Sequence, residues 1–250
     1  RAADCCLAHP RRLEISPMPF HDLLAHAIGS LAEGGTLLAP IPGAAVDAWE
    51  RLRGVPVSPE IRALCSIAGG VRRGDEELHF LGGAEEAPHA FSSLLPLGEA
   101  IGGDGKGNLY VVDSEDGFGL AGPVYFAAPN PGVLVVAAPS LLDFVRSTFL
   151  ANDKAQRFEA LEQAIAACKA HKDFAPEASL LRTAPDAALR ALCTQVPDDA
   201  RIYDLRLKEF GSGFPWAAYP SATRDPLRPL FVGLPPEKRP SVLARIFGIG

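Results

Sequence analysis

Apolar positions along the chain repeat first at helical and then at strand spacing. In the segment 20–32, FHDLLAHAIGSLA, residues Leu23, Leu24, Ala27, Ile28 and Leu31 share one helix face, and Gly34 and Gly35 stop the helix. A short helix follows around Trp49 and Leu52, then a turn through Gly54 and Pro56. Ser58 is placed to cap a further helix, with Pro59 at its first position and Glu60 in its first turn, running to about Ala68 before Gly69 and Gly70 end it. Leu78, Phe80 and Leu81 suggest a strand after the acidic turn 74–77, and 94–97 a short strand or connection. Three β-rich runs come next, over 109–112, 124–126 and 133–136. Turn-rich segments at 114–122 and 128–132 separate them, with no helix between as a parallel crossover needs, so the strands are antiparallel. Ser140 then caps a helix that turns Leu141, Phe144, Val145 and Phe149 inward.

Beyond Ala151 the pattern changes. Phe158, Leu161, Ile165 and Cys168 line a longer helix, a second runs over 187–193, and the alternation IYDLRLKEF predicts a strand over 202–210. The loop GFPWAAYP presents Phe214, Trp216 and Tyr219, which either fill core under a long loop or belong to a partner surface. A last short helix is expected over 241–247. The expected class is α+β, a mostly antiparallel sheet packed by helices. It divides into an irregular arm over 1–19, a domain over 20–150, and a C-terminal helical and strand extension over 151–250 that forms a second small unit or packs on the same domain.

Composition supports a packed core: 48% of the 250 residues are hydrophobic and 22% charged. The uncharged run 117–142 is long enough to cross a bilayer, but Pro123, Pro129, Asn130, Pro131 and Pro139 break it into strands of a water-soluble core. The five cysteines (Cys5, Cys6, Cys65, Cys168 and Cys193) are odd in number and form no CxxC, which fits a reducing cytoplasm. Cys65, Cys168 and Cys193 read as small core residues. Charge is uneven: residues 1–150 hold 10 Lys+Arg against 18 Asp+Glu, residues 151–250 hold 14 against 12. An acidic N-terminal part repels phosphate backbones, which argues against nucleic acid, and steers a basic protein partner towards it.

Catalytic chemistry has no visible carrier in the sequence. The loop GGDGKGN, Gly102 to Asn108, resembles a phosphate loop, but the predicted next element is a strand, not the helix whose N-terminus would face the anion. Asp104, Asp113, Glu115 and Asp116 lack the order of a calcium loop and read as a solvated acidic rim. Asp22 and His26 form a surface pair at i,i+4, and neither HExxH nor GxSxG occurs. No cofactor or metal is expected.

Trp49, then PVSPEIRALCSIAGGV, GDGKGNLYVVD and GPVYFAAPNPGVLVVAAPSLLDFV, taken in that order, resemble the SUKH superfamily over about residues 20–150. The family is named in part after yeast cell-wall assembly regulators. The resemblance implies helices on a mostly antiparallel sheet and a non-enzymatic role; many bacterial members act as immunity proteins that bind and neutralise a polymorphic toxin, often one with a basic surface. The expectation is a cytoplasmic protein that occludes a cognate toxin, the alternatives being a regulatory scaffold of the yeast type and an enzyme whose site is not legible. Charge and expected exposure, not the family, nominate Asp75, Glu76, Glu77, Asp104, Asp113, Glu115 and Asp116 as the partner-binding residues.

Overall fold

The computed structural model describes residue 22 and residues 35–54, 56–73, 76–81, 94–95, 98–103, 106–114, 121–149, 154–170, 175–207, 209–219, 221–225 and 228–235. The arm over 1–19, the helix over 241–247 and, apart from Asp22, the helix over 20–32 lie outside them. Among the described residues no helix is long and apolar enough to cross a membrane.

A small N-terminal sheet comes first, of order β1-β2-β3 with all pairs antiparallel: β1 (Thr36–Leu37), β2 (Gly70–Arg73) and β3 (Glu76–His79). Between β1 and β2 run the helices α1 (Gly43–Arg53) and α2 (Pro59–Ile67). The predicted start of α2 is observed: the Ser58 hydroxyl oxygen accepts a hydrogen bond from the Ile61 N–H at 3.2 Å, with Pro59 at the first position. Its inward face carries Ile61, Leu64 and Cys65, all buried.

The central sheet has the order β4-β5-β6-β7-β9, built from β4 (Glu99–Gly103), β5 (Leu109–Ser114), β6 (Ala121–Ala128), β7 (Val133–Ala138) and, from far along the chain, β9 (Gly213–Phe214). Each neighbouring pair is antiparallel, as the turn spacing implies. The glycine-rich stretch is in part strand: a Cβ on Gly103 would stand 2.7 Å from the Asn108 carbonyl oxygen, and Gly107 has φ +90, so these glycines close the β4–β5 hairpin. Next, α3 (Leu141–Phe149) starts on a reciprocal cap, in which Ser140 Oγ accepts from the Asp143 N–H and donates to the Asp143 carboxylate.

The C-terminal third contributes α4 (Lys154–Ala170), α5 (Ala178–Leu181), α6 (Ala187–Cys193), β8 (Arg201–Asp204), a 3-10 turn (Trp216–Ala218), β10 (Ser221–Arg224) and β11 (Leu230–Leu234). Strands β10, β11 and β8 form a third antiparallel sheet in that order. The strand expected over 202–210 ends at Asp204. Arg206 folds back there: its N–H and its guanidinium both bond the Asp204 carboxylate, and a further guanidinium N–H reaches Asp186. That turn leaves Leu207 and Phe210 exposed, with Leu207 79% accessible.

Three apolar clusters show the layering. Tyr110, Val112, Val124 and Phe126 of the central sheet pack with α1, α2, Phe144 of α3 and Leu161 of α4. Alternate residues of the same strands, Val111, Tyr125 and Ala127, face the other way with Leu134 and Val136 of β7, onto Tyr203, Leu205 and Phe231 of the C-terminal sheet. That sheet's outer residues, Ile202 and Val232, are covered in turn by Ala178 and Cys193 of α5 and α6. The result is an α+β fold with helices packed on antiparallel sheets. The aromatic loop fills core: Phe214 is fully buried, its ring 5.0 Å from Tyr203 and 5.3 Å from Phe231.

Gly213 is a tight point of that join, since a Cβ there would lie 2.6 Å from the Leu134 carbonyl oxygen and 2.9 Å from Cys168 Sγ. Gly213→Ala is therefore expected to cost about 1–3 kcal/mol in urea unfolding, the usual range for overpacking. Ser58→Ala is expected to cost roughly 1 kcal/mol through loss of the α2 cap.

Candidate functional site

The seven nominated carboxylates do not form one described surface. Asp75, Asp104, Glu115 and Asp116 lie outside the described residues. Glu76 and Glu77 are placed by their backbone in β3, where they stand opposite Arg73 and Arg72 of β2. An acidic residue directly across a ladder from a basic one is a favourable cross-strand arrangement, so the hairpin is less one-sided than its acidic turn suggests. This pairing depends on register, which the sequence reading did not assign.

Asp113 requires a correction. It was expected exposed in an acidic rim, but it is 1% accessible and points between the central and C-terminal sheets. On β5 the side chains alternate, so Asp113 shares the face of Val111, the face covered by the C-terminal sheet. Arg224 of β10 meets it there, with its Nη1 donating to Oδ1 at 2.9 Å and its Nη2 lying 2.6 Å from Oδ2 as an ion-pair contact off hydrogen-bond alignment. The guanidinium, itself 5% accessible, also donates from Nε to the Arg228 carbonyl and lies 5.5 Å from the Phe231 ring centroid. A carboxylate engaged this way is not available as a calcium ligand or for steering a partner.

A second buried carboxylate, Glu99, opens β4 beneath α1 and was not singled out from the sequence. Its side chain is 8% accessible. The Trp49 indole N–H donates to Oε1 at 3.1 Å, Arg53 bonds Oε2, and a second Arg53 nitrogen donates to the Gly98 carbonyl at 3.1 Å. Burial pushes the Glu99 carboxyl above its ordinary range, opposed by the Arg53 charge and by the hydrogen bonds from Trp49 and Arg53. Around it, α1 is tied to α2 through Arg62, which bridges Asp47 at 2.8 Å and Glu50 at 2.5 Å. A lone acidic residue between Gly98 and the apolar start of a strand was the available signal.

A cleft of about 370 Å³ lies between the ends of β8 and β9, lined by Cys168, Ala175, Tyr203, Leu205, Gly211 and Ser212 among others. Its thiol is poorly suited to nucleophilic work: burial pushes Cys168 up to about 12. Only about one molecule in ten thousand then carries the thiolate at pH 8, and the thiolate is the nucleophile. The Tyr203 phenol is also pushed up by burial and is 2.6 Å from the Tyr219 hydroxyl. Both groups remain neutral, and the charged group lining the cleft is Asp204, whose carboxylate is bonded by the Arg206 guanidinium.

Comparison with protein-family models, with curated proteins and with solved structures gives no match.

Removing one member of the buried pair leaves an uncompensated charge between the sheets. Asp113→Ala is expected to lower stability by about 3–5 kcal/mol. Joint replacement, Asp113→Leu with Arg224→Met, is expected to recover most of that loss in the same urea titration, because no charge is then stranded.

Proposed function

We propose that this chain is a non-enzymatic binding protein of the SUKH kind, an immunity protein that neutralises a cognate bacterial toxin in the cytoplasm by stoichiometric binding. The observation that carries the reading is the acidic surplus of residues 1–150. Asp113 is buried against Arg224 of the C-terminal third, so it drops out of the surface balance; 10 basic residues then face 17 acidic ones, still a net −7. The Glu99–Arg53 pair is neutral and leaves that figure unchanged. A surplus of this size attracts a basic protein during diffusional encounter and repels nucleic acid. The sequence order that resembles the family lies in a segment with antiparallel strands and with α2 and α3 on one face, which is compatible with the same reading.

Co-expression with the toxin encoded beside its gene is expected to protect the cell and to yield a one-to-one complex on size-exclusion chromatography. Loss of both protection and complex overturns the proposal. With Asp113 excluded, the charge test moves to the N-terminal hairpin. Glu76→Lys with Glu77→Lys is expected to slow association on the order of tenfold at low salt, the difference closing as salt rises, because screening removes long-range steering.

A further inference from the structure

Glu99 is the buried carboxylate that fastens α1 to the edge of the central sheet. Its two oxygens are engaged by side chains of one helix, Trp49 and Arg53, which lie one turn apart on α1. Little else of α1 is deeply buried: Val46 is its one fully buried residue, and Leu52 beside the clasp is 78% accessible. Arg53 ends the helix, Gly54 follows in the left-handed conformation, and the Arg53 side chain is 29% accessible, so the guanidinium has a path to water. The hold of this helix end on β4 therefore rests on the charge of one carboxylate shielded from solvent, beside the single Arg53 bond to the Gly98 carbonyl.

We propose that this Glu99–Trp49–Arg53 cluster is a proton-operated clasp: uptake of one proton by Glu99 within the folded protein releases Arg53 to solvent and loosens the C-terminal turn of α1 from the sheet. A neutral carboxyl no longer holds the guanidinium as a counter-ion, and the charge-assisted bond to the indole becomes an ordinary one. The direction of the burial effect makes this a native-state event. The folded value is raised above the ordinary 4.5, so this group's contribution to stability is fully present below 4.5 and is lost as pH rises through the folded value. Acidification thus protonates Glu99 without this group driving unfolding.

The groups facing the clasp leave Glu99 as the titrating member. On α2, burial pushes Cys65 up to about 12, so it stays a thiol, and Arg62 is raised by its hydrogen bonds to Glu50 and Asp47. On α1, the hydrogen bond from Arg62 lowers Glu50. Across the sheet β5 presents Val112 opposite Glu99. On β3, the strand against β4, stand Glu76, Glu77 and the exposed His79.

The chain has two tryptophans, so Trp216→Phe leaves Trp49 as the sole indole reporter. In that background, Trp49 emission followed from pH 8 to pH 4, with far-UV circular dichroism confirming the fold, is expected to show a one-proton transition with its midpoint above 4.5. Glu99→Gln is expected to abolish it, with emission fixed near the low-pH level. Arg53→Gln is expected to raise the midpoint by about one pH unit, since an opposite charge at close range lowers a carboxyl by that order. The Arg53→Gln arm keeps the test decisive if Glu99→Gln fails to fold. A flat profile above pH 4.5, the same transition in Glu99→Gln, which assigns it to another group, or an unmoved midpoint in Arg53→Gln overturns the proposal.

Discussion

The central sheet is apolar on both faces, and the rest of the molecule is arranged to cover it. All six residues of β7 are buried, and β5 and β6 send alternate side chains to two separate clusters. A sheet exposed on one side would show alternation of polar and apolar residues; these strands show near-continuous apolar runs, which demand two covers. Helices α1, α2, α3 and α4 supply one. The C-terminal sheet supplies the other, and its own outer face is closed by α5 and α6. This explains why an uncharged run of membrane length occurs in a chain whose described helices are too short or too polar to span a bilayer.

Between the two sheets sits a fully buried ion pair. Asp113 and Arg224 are 111 positions apart in sequence, and neither side chain has more than 5% of its surface exposed. A buried pair is weak as a source of net stability, because desolvation offsets the Coulombic gain, but breaking it strands a charge. Its physical consequence is therefore one of registration: other alignments of the two sheets leave a carboxylate and a guanidinium unmatched in an apolar layer. Glu99 beneath α1 poses the same problem at the other face. There the partner, Arg53, is part-exposed, so protonation and release are available as an alternative to permanent pairing.

Local chemistry was legible in the sequence wherever one residue's neighbours decide its role. The caps at Ser58 and Ser140, the break of the uncharged run at Pro129, Pro131 and Pro139, though not at Pro123, which lies within β6, and the antiparallel order of β5, β6 and β7 follow from turn and cap preferences acting over a few residues. What failed depended on distant partners. The alternation over 202–210 is that of a strand, yet Arg206 finds Asp204 and Asp186 and turns the chain. β11, LFVGL, is a short apolar run that periodicity alone does not assign, and β10 is exposed and polar. Asp113 was read as surface because carboxylates usually are and Glu115 and Asp116 follow it, although an acid ending the run LYVV on the face of Val111 was itself a sign of a buried cation.

The C-terminal sheet is the obligatory second cover of the central one. The most direct measurement is urea unfolding of a fragment ending at residue 170, which keeps α4, beside the full chain, with binding of the dye ANS to exposed apolar surface. The account predicts that the fragment loses the cooperative transition and binds the dye strongly, since Val111, Tyr125, Leu134 and Val136 are uncovered. A fragment that unfolds cooperatively with the stability of the full chain and leaves the dye unbound would contradict it.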